Sequence, residues 1–304
     1  NRTRLINKMR ESISLEMFNE VIIKYCLDKP KKDVLIILNT KKITLETYRN
    51  INSSLDTKEN DIFYLTTLLT PFERKKIIKK IKSKFKGKRQ IIISTQLVEA
   101  GVDISVDTVF RALAPLDSII QAAGRANRYD EKEEVSEVYL YKIEELERVT
   151  GFIYGADLIK KTENVLKDFE TIEEKEYLEL IQNYFLQVND LSLYSENNYL
   201  KSLLALNFEE TGNFQLIENT KSESIFIGLN EDAKQIWQDY ILIQENENLN
   251  PFEKKNAFAL IKAKFYDYVI NINIPYDSEN IGLPFEPCLG FYFVDVDNQF
   301  KPIY

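Results

Sequence analysis

Residues 90–128 read QIIISTQLVEAGVDISVDTVFRALAPLDSIIQAAGRANR, and this stretch decides both the fold and the place of the chemistry. It opens on three consecutive isoleucines, Ile91 to Ile93, between polar neighbours. So short an apolar run, made of β-branched residues, is the pattern of a buried strand. The strand runs into Ser94, Thr95 and Gln96, then through Glu99, Ala100 and a turn at Gly101 to the carboxylate of Asp103. Polar groups that follow a buried strand sit at the carboxyl edge of its sheet, where open α/β sheets bind ligands. A second short strand, Val106 to Phe110, and a helix from Leu116 to Arg128 complete the stretch. On that helix Asp117, Gln121, Gly124, Arg125 and Arg128 share one face through steps of three and four. Two arginines three apart beside a glycine form a cationic clamp open to an anion, since guanidinium groups bond phosphate bidentately. Singly, each feature has a plainer reading. Arg-x-x-Arg alone is most often a solvated helix face, and Thr95 and Asp103 are equally ordinary turn residues.

Working outward, DVLIIL (Asp33 to Leu38), DIFYLT (Asp61 to Thr66) and EVYLY (Glu137 to Tyr141) read as further strands. A helix from about Thr44 to Leu55 separates the first two, and Pro71 opens a basic helix at the position where proline is tolerated. The apolar spacing also predicts one helix through Arg2 to Leu27. Strands alternating with helices predict an α/β lobe over residues 1–150, its parallel sheet covered on both faces. Residues 151–205 read as an acidic helical connector, with no glycine or proline between Gly155 and Gly212. Residues 206–304 mix short strands (Phe214 to Ile217, Ser224 to Ile227), helices and a closing hairpin, which predicts a smaller α+β C-terminal domain.

The composition narrows the chemistry. The 304 residues hold no histidine, which excludes a Ser-His-Asp triad, a Cys-His nucleophile pair and a histidine-bearing zinc site within them. Cys26 and Cys288 read as reduced thiols of a cytoplasmic protein. No apolar stretch approaches the roughly 20 residues of a membrane span, and no secretory signal opens the chain, so no membrane partner is expected. Asn1 stands where methionine is expected and predicts a processed or trimmed chain. Residues 1–150 carry 28 basic and 22 acidic side chains, whereas residues 151–304 carry 12 and 26. A nucleic-acid surface therefore belongs on the first half. Arg74 to Arg89 holds ten basic residues and no acidic one, either a solvated helix face or a track for a phosphate backbone.

STQLVEAGVDI (residues 94–104) followed by QAAGRANR (121–128) resembles the fifth and sixth signature motifs of superfamily 2 helicases. With APLDS (114–118) between them, the run is similar to the CRISPR-associated helicase–nuclease of type I systems. The similarity covers residues 33–142, including Asn39-Thr40 where that family has its fourth motif. Ala122 stands where many superfamily members carry a third arginine. The resemblance implies that the α/β lobe is RecA-like, the second of two motor lobes, followed by the helical connector and an accessory C-terminal domain. It implies that Arg125 and Arg128 are arginine fingers on the γ-phosphate of ATP, with Gln121 ordering the attacking water or the phosphate. Gly101, Asp103 and Gly124 would line the nucleotide, and Thr40, Thr95 and Gln96 would hold single-stranded DNA.

The other half of such a site is not in this sequence. A phosphate-binding loop needs G-x-x-x-x-G-K-[ST], and Gly87-Lys88 has no glycine five residues before it. No apolar strand ends in adjacent Asp-Glu. The ligands of the magnesium that accompanies ATP are therefore expected on a first lobe elsewhere, no metal site is expected here, and this chain alone is expected to be inactive. The implied partners are single-stranded DNA, that first lobe, the family's nuclease domain and a guide-RNA surveillance complex, with antiviral defence the implied role. Two other readings stay open: a superfamily 2 helicase of DNA repair or RNA metabolism, and a lobe that only docks a nucleic acid or a protein.

Overall fold

The computed structural model describes residues 1–83, 88–99, 102–130, 134–194, 198–209, 222–273 and 291–296. Gly101, Cys288, the expected strand at Phe214 to Ile217 and most of the expected closing hairpin lie outside the described residues. The chain divides into two compact units, Asn1–Thr66 with Ile77–Leu200, and Thr67–Lys76 with Lys201–Tyr304.

The first unit is built on a seven-stranded sheet. Its strands are β1 (Thr3–Asn7), β2 (Val34–Ile37), β3 (Asn60–Leu65), β4 (Arg89–Ser94), β5 (Thr108–Ala112), β6 (Ser136–Tyr141) and β7 (Thr171–Glu173). The first six run parallel in the order β3-β4-β2-β5-β6-β1, and β7 closes the β1 edge antiparallel. Side chains of a strand alternate between faces, so each central strand feeds two cores. Val34, Ile36, Ile91, Ile93 and Phe110 pack with Phe18 and Ile22 of α1 (Leu15–Asp28) and Ile51 of α2 (Lys41–Ser54). Leu35, Ile37, Ile92 and Val109 pack on the other side, with Ile81 of α3 (Pro71–Ser83) and Ile119 of α4 (Leu116–Ala123). Each isoleucine so buried contributes roughly 1.5–3 kcal/mol.

Three expectations change. The helix predicted from Arg2 begins only at Leu15, because Thr3–Asn7 pairs with β6 in parallel register, Leu5 opposite Val138. Leu5 and Ile6 fit a helical spacing as well as a strand, and only a distant partner strand decides between them. The helix predicted through Arg128 stops at Ala123. The stretch expected to be a connector over 151–205 begins with α5 (Glu147–Tyr154), α6 (Ala156–Leu166), β7 and α7 (Tyr177–Tyr194). Of these, α6, β7 and α7 add Val165, Leu166, Ile172, Leu180 and Tyr184 to the core of the first unit, which runs to Leu200.

The second unit has a three-stranded sheet in the order β10-β8-β9, from β8 (Ser222–Gly228), β9 (Val269–Asn273) and β10 (Tyr292–Asp295). Helices α8 (Asn198–Leu204), α9 (Glu231–Glu245) and α10 (Pro251–Tyr266) accompany it. Asn250 and Glu253 form a capping box at the start of α10, with Pro251 in the first turn. Rings rather than aliphatic chains fill this core: Phe226 lies 4.7 Å from Phe265 and 5.2 Å from Trp237. Among the described residues no helix is long and apolar enough to cross a membrane.

Candidate functional site

The residues singled out from the sequence fall into two groups. The first lies where β2 and β4 end. These strands pair with Ile37 opposite Ser94, so Thr40 and Thr95 follow neighbouring strand ends at the carboxyl edge. Thr40 caps α2, its Oγ1 accepting from the Ile43 N–H at 3.3 Å, which leaves its own hydroxyl hydrogen to donate. Thr95 heads a short 3-10 turn, Gln96–Val98, and makes no capping bond with its side chain. The Oε1 of Gln96 is buried without a hydrogen-bond partner.

The second group lies elsewhere. After α4 the chain passes exposed Gly124 and doubles back beside the segment that leads into β5. Val106 donates to the Arg125 carbonyl and Asn127 donates to the Val106 carbonyl, each at 3.0 Å, closing a parallel bridge between Val106 and Ala126. Asn127 takes a left-handed φ of 46°, a conformation asparagine tolerates better than most residues. This bridge, not a helix face, holds the two arginines. It stands just ahead of Thr108, and Arg2, which precedes β1, donates to the Arg128 carbonyl at 3.3 Å. Asp103, Arg125 and Arg128 therefore lie toward the amino-terminal ends of the strands, not at the carboxyl edge with Thr95.

Within this group Arg128 Nε is 3.1 Å from Asp103 Oδ1, both side chains partly exposed. The Tyr129 hydroxyl donates to the same carboxylate at 2.6 Å, and Lys82 stands 3.9 Å from its other oxygen. The Tyr129 hydrogen bond first, then the charges of Lys82 and Arg128, hold the Asp103 carboxyl below the usual carboxylate range. Arg125 is only 6 % exposed, its Nη2 donates to the Glu99 carbonyl, and its Nε is buried without a partner. Burial first, and the nearby charge of Arg128 second, lower its pKa from the ordinary guanidinium value. Gln121 is exposed on α4.

Several polar residues of this region were not candidates from the sequence. Arg111 is wholly buried in β5, paired with Glu99 and bonded to Asn39, and Ser118 donates to Glu99. The signal was an arginine inside the apolar run TVFRALAP, a placement a core accepts only when the charge is matched. Arg89 is likewise not a solvated member of the basic run. It is 6 % exposed and donates to Asn60 Oδ1 at 2.8 Å and the Lys29 carbonyl at 3.1 Å. Cys26 is buried and free, and burial pushes its thiol up to about 11. Among the described residues no group of three His, Cys, Asp or Glu side chains is placed to hold a metal ion.

Residues 30–131 match the family described as "CRISPR-associated nuclease/helicase Cas3, C-terminal". The chain contains a Cas3-like C-terminal helicase region. Every residue of both groups falls inside that Cas3-like match. The chain is 22% identical over 281 residues to the CRISPR-associated nuclease/helicase Cas3 of Methanothermobacter thermautotrophicus, covering 83% of this chain and 33% of that protein. It is 48% identical over 66 residues to the Cas3 of Haloferax volcanii, covering 21% of this chain and 7% of that one. The chain thus spans a third or less of these curated relatives. The fold is similar to that of T. fusca Cas3 in a structure described as Cas3-ATP, with a TM-score of 0.66 at 14% identity, covering 97% of this chain and 39% of that one. It is also similar, with a TM-score of 0.61, to a chain in a structure described as "CRISPR RNA-guided surveillance complex, pre-nicking", at 14% identity and covering 97% of this chain and 41% of that one.

Proposed function

We propose that this chain is the second motor lobe and C-terminal domain of an ATP-dependent helicase of CRISPR interference that translocates on single-stranded DNA. The observation that carries the reading is the pair of surfaces on one lobe, neutral donors and acceptors at the carboxyl edge and a cationic turn beside Val106. The turn fits the phosphate end of a nucleotide. Arg125 has an unpartnered Nε, Gly124 leaves the approach open, and Arg128 is held to Asp103 only by an ion pair too exposed to resist exchange. Bound ATP supplies the phosphoanhydride whose cleavage drives the motor. Arg125 and Arg128 place positive charge at the γ-phosphate, Gln121 orders the attacking water or the phosphate, and Asp103 accepts from a ribose hydroxyl. Gly101 and Gly124 line the nucleotide. Thr40, Thr95 and Gln96 hold the DNA backbone from the strand ends, as neutral side chains commonly position nucleic acid.

The sequence holds no phosphate-binding loop, so this reading assigns that loop, the magnesium ligands and the nuclease domain to a first part of a longer protein, in keeping with a chain that covers 33% of its Methanothermobacter relative. The similarity to a chain of a surveillance-complex structure supports a guide-RNA complex as the partner that delivers the DNA. The test is DNA-stimulated ATP hydrolysis by the whole enzyme and by this chain alone. The chain alone should not turn over ATP, and in the whole enzyme Arg128→Ala should abolish stimulated turnover without changing the melting curve. Robust hydrolysis by the purified chain, or near-normal turnover by the variant, would sink the reading.

A further inference from the structure

Glu99 stands between the two surfaces and is held from both. Its backbone carbonyl accepts from Arg125, and its own N–H donates to the Gln96 carbonyl at 3.0 Å. Its carboxylate points into the lobe. There Oε1 lies 2.8 Å from Nη2 of Arg111 but off the line of its N–H bonds, an ion pair rather than an aligned hydrogen bond, and Oε2 accepts from Ser118. Arg111 has no exposed surface, and its Nη1 donates to Asn39 Oδ1 at 2.6 Å. Asn39, the residue before Thr40, donates in turn to the Leu113 carbonyl and to Thr150 Oγ1, each at 2.8 Å. An unbroken polar chain therefore runs from Arg125 through Glu99 and Arg111 to Asn39.

Stability alone does not account for this chain of contacts. Two charges taken out of water lose about as much as they regain from each other, and apolar residues of the same size would serve as well. What a buried pair adds is direction: Arg111 also donates to the Ala112 carbonyl at 3.1 Å and the Tyr154 hydroxyl at 3.2 Å, but Glu99 supplies the opposite charge that fixes where the guanidinium lies. Neither Glu99 nor Arg111 is placed to touch a ligand. Glu99 instead accepts from the side chain of Arg125 itself, and Arg111 bonds the side chain of Asn39, beside Thr40.

We propose that the Glu99–Arg111 pair is a positioning element that couples the arginine turn to the carboxyl edge, so that nucleotide at the one alters the grip of the other on single-stranded DNA. This rests on the function proposed above. Arg125 moving toward a phosphate pulls on the Glu99 carbonyl, and the Glu99 carboxylate transmits the shift to Arg111 and Asn39. Coupling of this kind is reciprocal in binding, so it is measured without turnover.

The experiment measures, in the whole enzyme, the dissociation constant for single-stranded DNA with and without a non-hydrolysable ATP analogue, beside thermal melting. Replacing both partners together, Glu99→Leu with Arg111→Met, leaves no lone buried charge and should preserve melting. The nucleotide effect on DNA affinity should shrink by about 10-fold, a typical coupling between sites. Ser118→Ala, which keeps the ion pair but removes the hydrogen bond to Glu99 and the 3.4 Å one from Arg111, should shrink the effect by about 3-fold. An unchanged effect in a normally melting double variant overturns the coupling, as does a wild-type enzyme whose DNA affinity ignores the nucleotide. If the double variant does not fold, Ser118→Ala decides on its own, with an unchanged effect again overturning the coupling. Arg128→Ala separates the two proposals. If that variant hydrolyses ATP normally, the functional reading has failed. If it loses turnover while Ser118→Ala and the double variant keep the full nucleotide effect, the coupling alone has failed.

Discussion

The carboxyl edge and the arginine turn of the first unit are made of opposite materials. Thr40, Thr95 and Gln96 are neutral, and each directly follows, or begins, a regular element whose register is set by β2 and β4. Asp103, Arg125 and Arg128 are charged, lie outside regular elements, and owe their placement to a two-bond bridge with Val106 and to each other. A group fixed by strand register keeps its position whatever its neighbours carry. A group fixed by a few tertiary contacts moves when any one of them changes. The first arrangement suits a backbone that must be gripped repeatedly, the second a phosphate that comes and goes.

The contrast is broken or sharpened by four substitutions. Arg128→Ala in the whole enzyme should lower DNA-stimulated turnover by about 10³-fold, the scale of an arginine finger, with DNA affinity unchanged in the absence of nucleotide. A matching loss of DNA affinity would mean that the two surfaces are one site. Arg111→Met by itself leaves the Glu99 carboxylate buried opposite an apolar side chain. Denaturant unfolding should then show a loss of about 3–5 kcal/mol, and a loss near zero would mean that Glu99 finds water or another partner.

Thr95→Val keeps the shape of the side chain and removes its hydroxyl. Single-strand binding should weaken by about 5-fold, one hydrogen bond, while the melting temperature and the salt dependence of binding stay the same. A changed salt slope would show a charged contact at that edge. The smallest effect concerns pH. Because the Tyr129 hydrogen bond is the first cause of the lowered Asp103 pKa, Tyr129→Phe should move the carboxyl-carbon titration of Asp103 upward toward the ordinary carboxylate value. A depressed folded-state pKa favours the fold above the ordinary value, and that favour is lost as pH falls through the lowered one. The variant should therefore begin to lose the pairing at a higher pH than the parent.

The parallel lobe was legible because its strands are short β-branched runs between turns, and β2 and β4 are buried throughout where VLIILN and IIIST predict it. β1 was not, since TRLIN fits a helix until β6 is alongside. The site was legible in its residue types and not in its arrangement. A helix drawn through Arg128 puts four polar residues and Gly124 on one face, whereas Gly124 ends the hydrogen-bonded run and Ala126 pairs with Val106 twenty residues earlier. The aromatic core of the second unit showed the same limit. Its rings are plain in the sequence, but which ring meets which is a matter of packing.

By itself the sequence determined the alternation of strand and helix, the basic and acidic halves, the absence of histidine chemistry and the motifs that mark a Cas3-like helicase region. Those are properties of local pattern, and hydrophobic periodicity and side-chain chemistry act over a few residues. Tertiary structure alone decided that Arg125 would be buried against a backbone carbonyl while Arg128 stays partly exposed, and that Arg89 and Arg111 would be internal. The physical reason is that a charge is silent in sequence about its partner. Its burial is tolerated only where folding brings a matching group from far along the chain, as Glu99 and Asn39 do for Arg111.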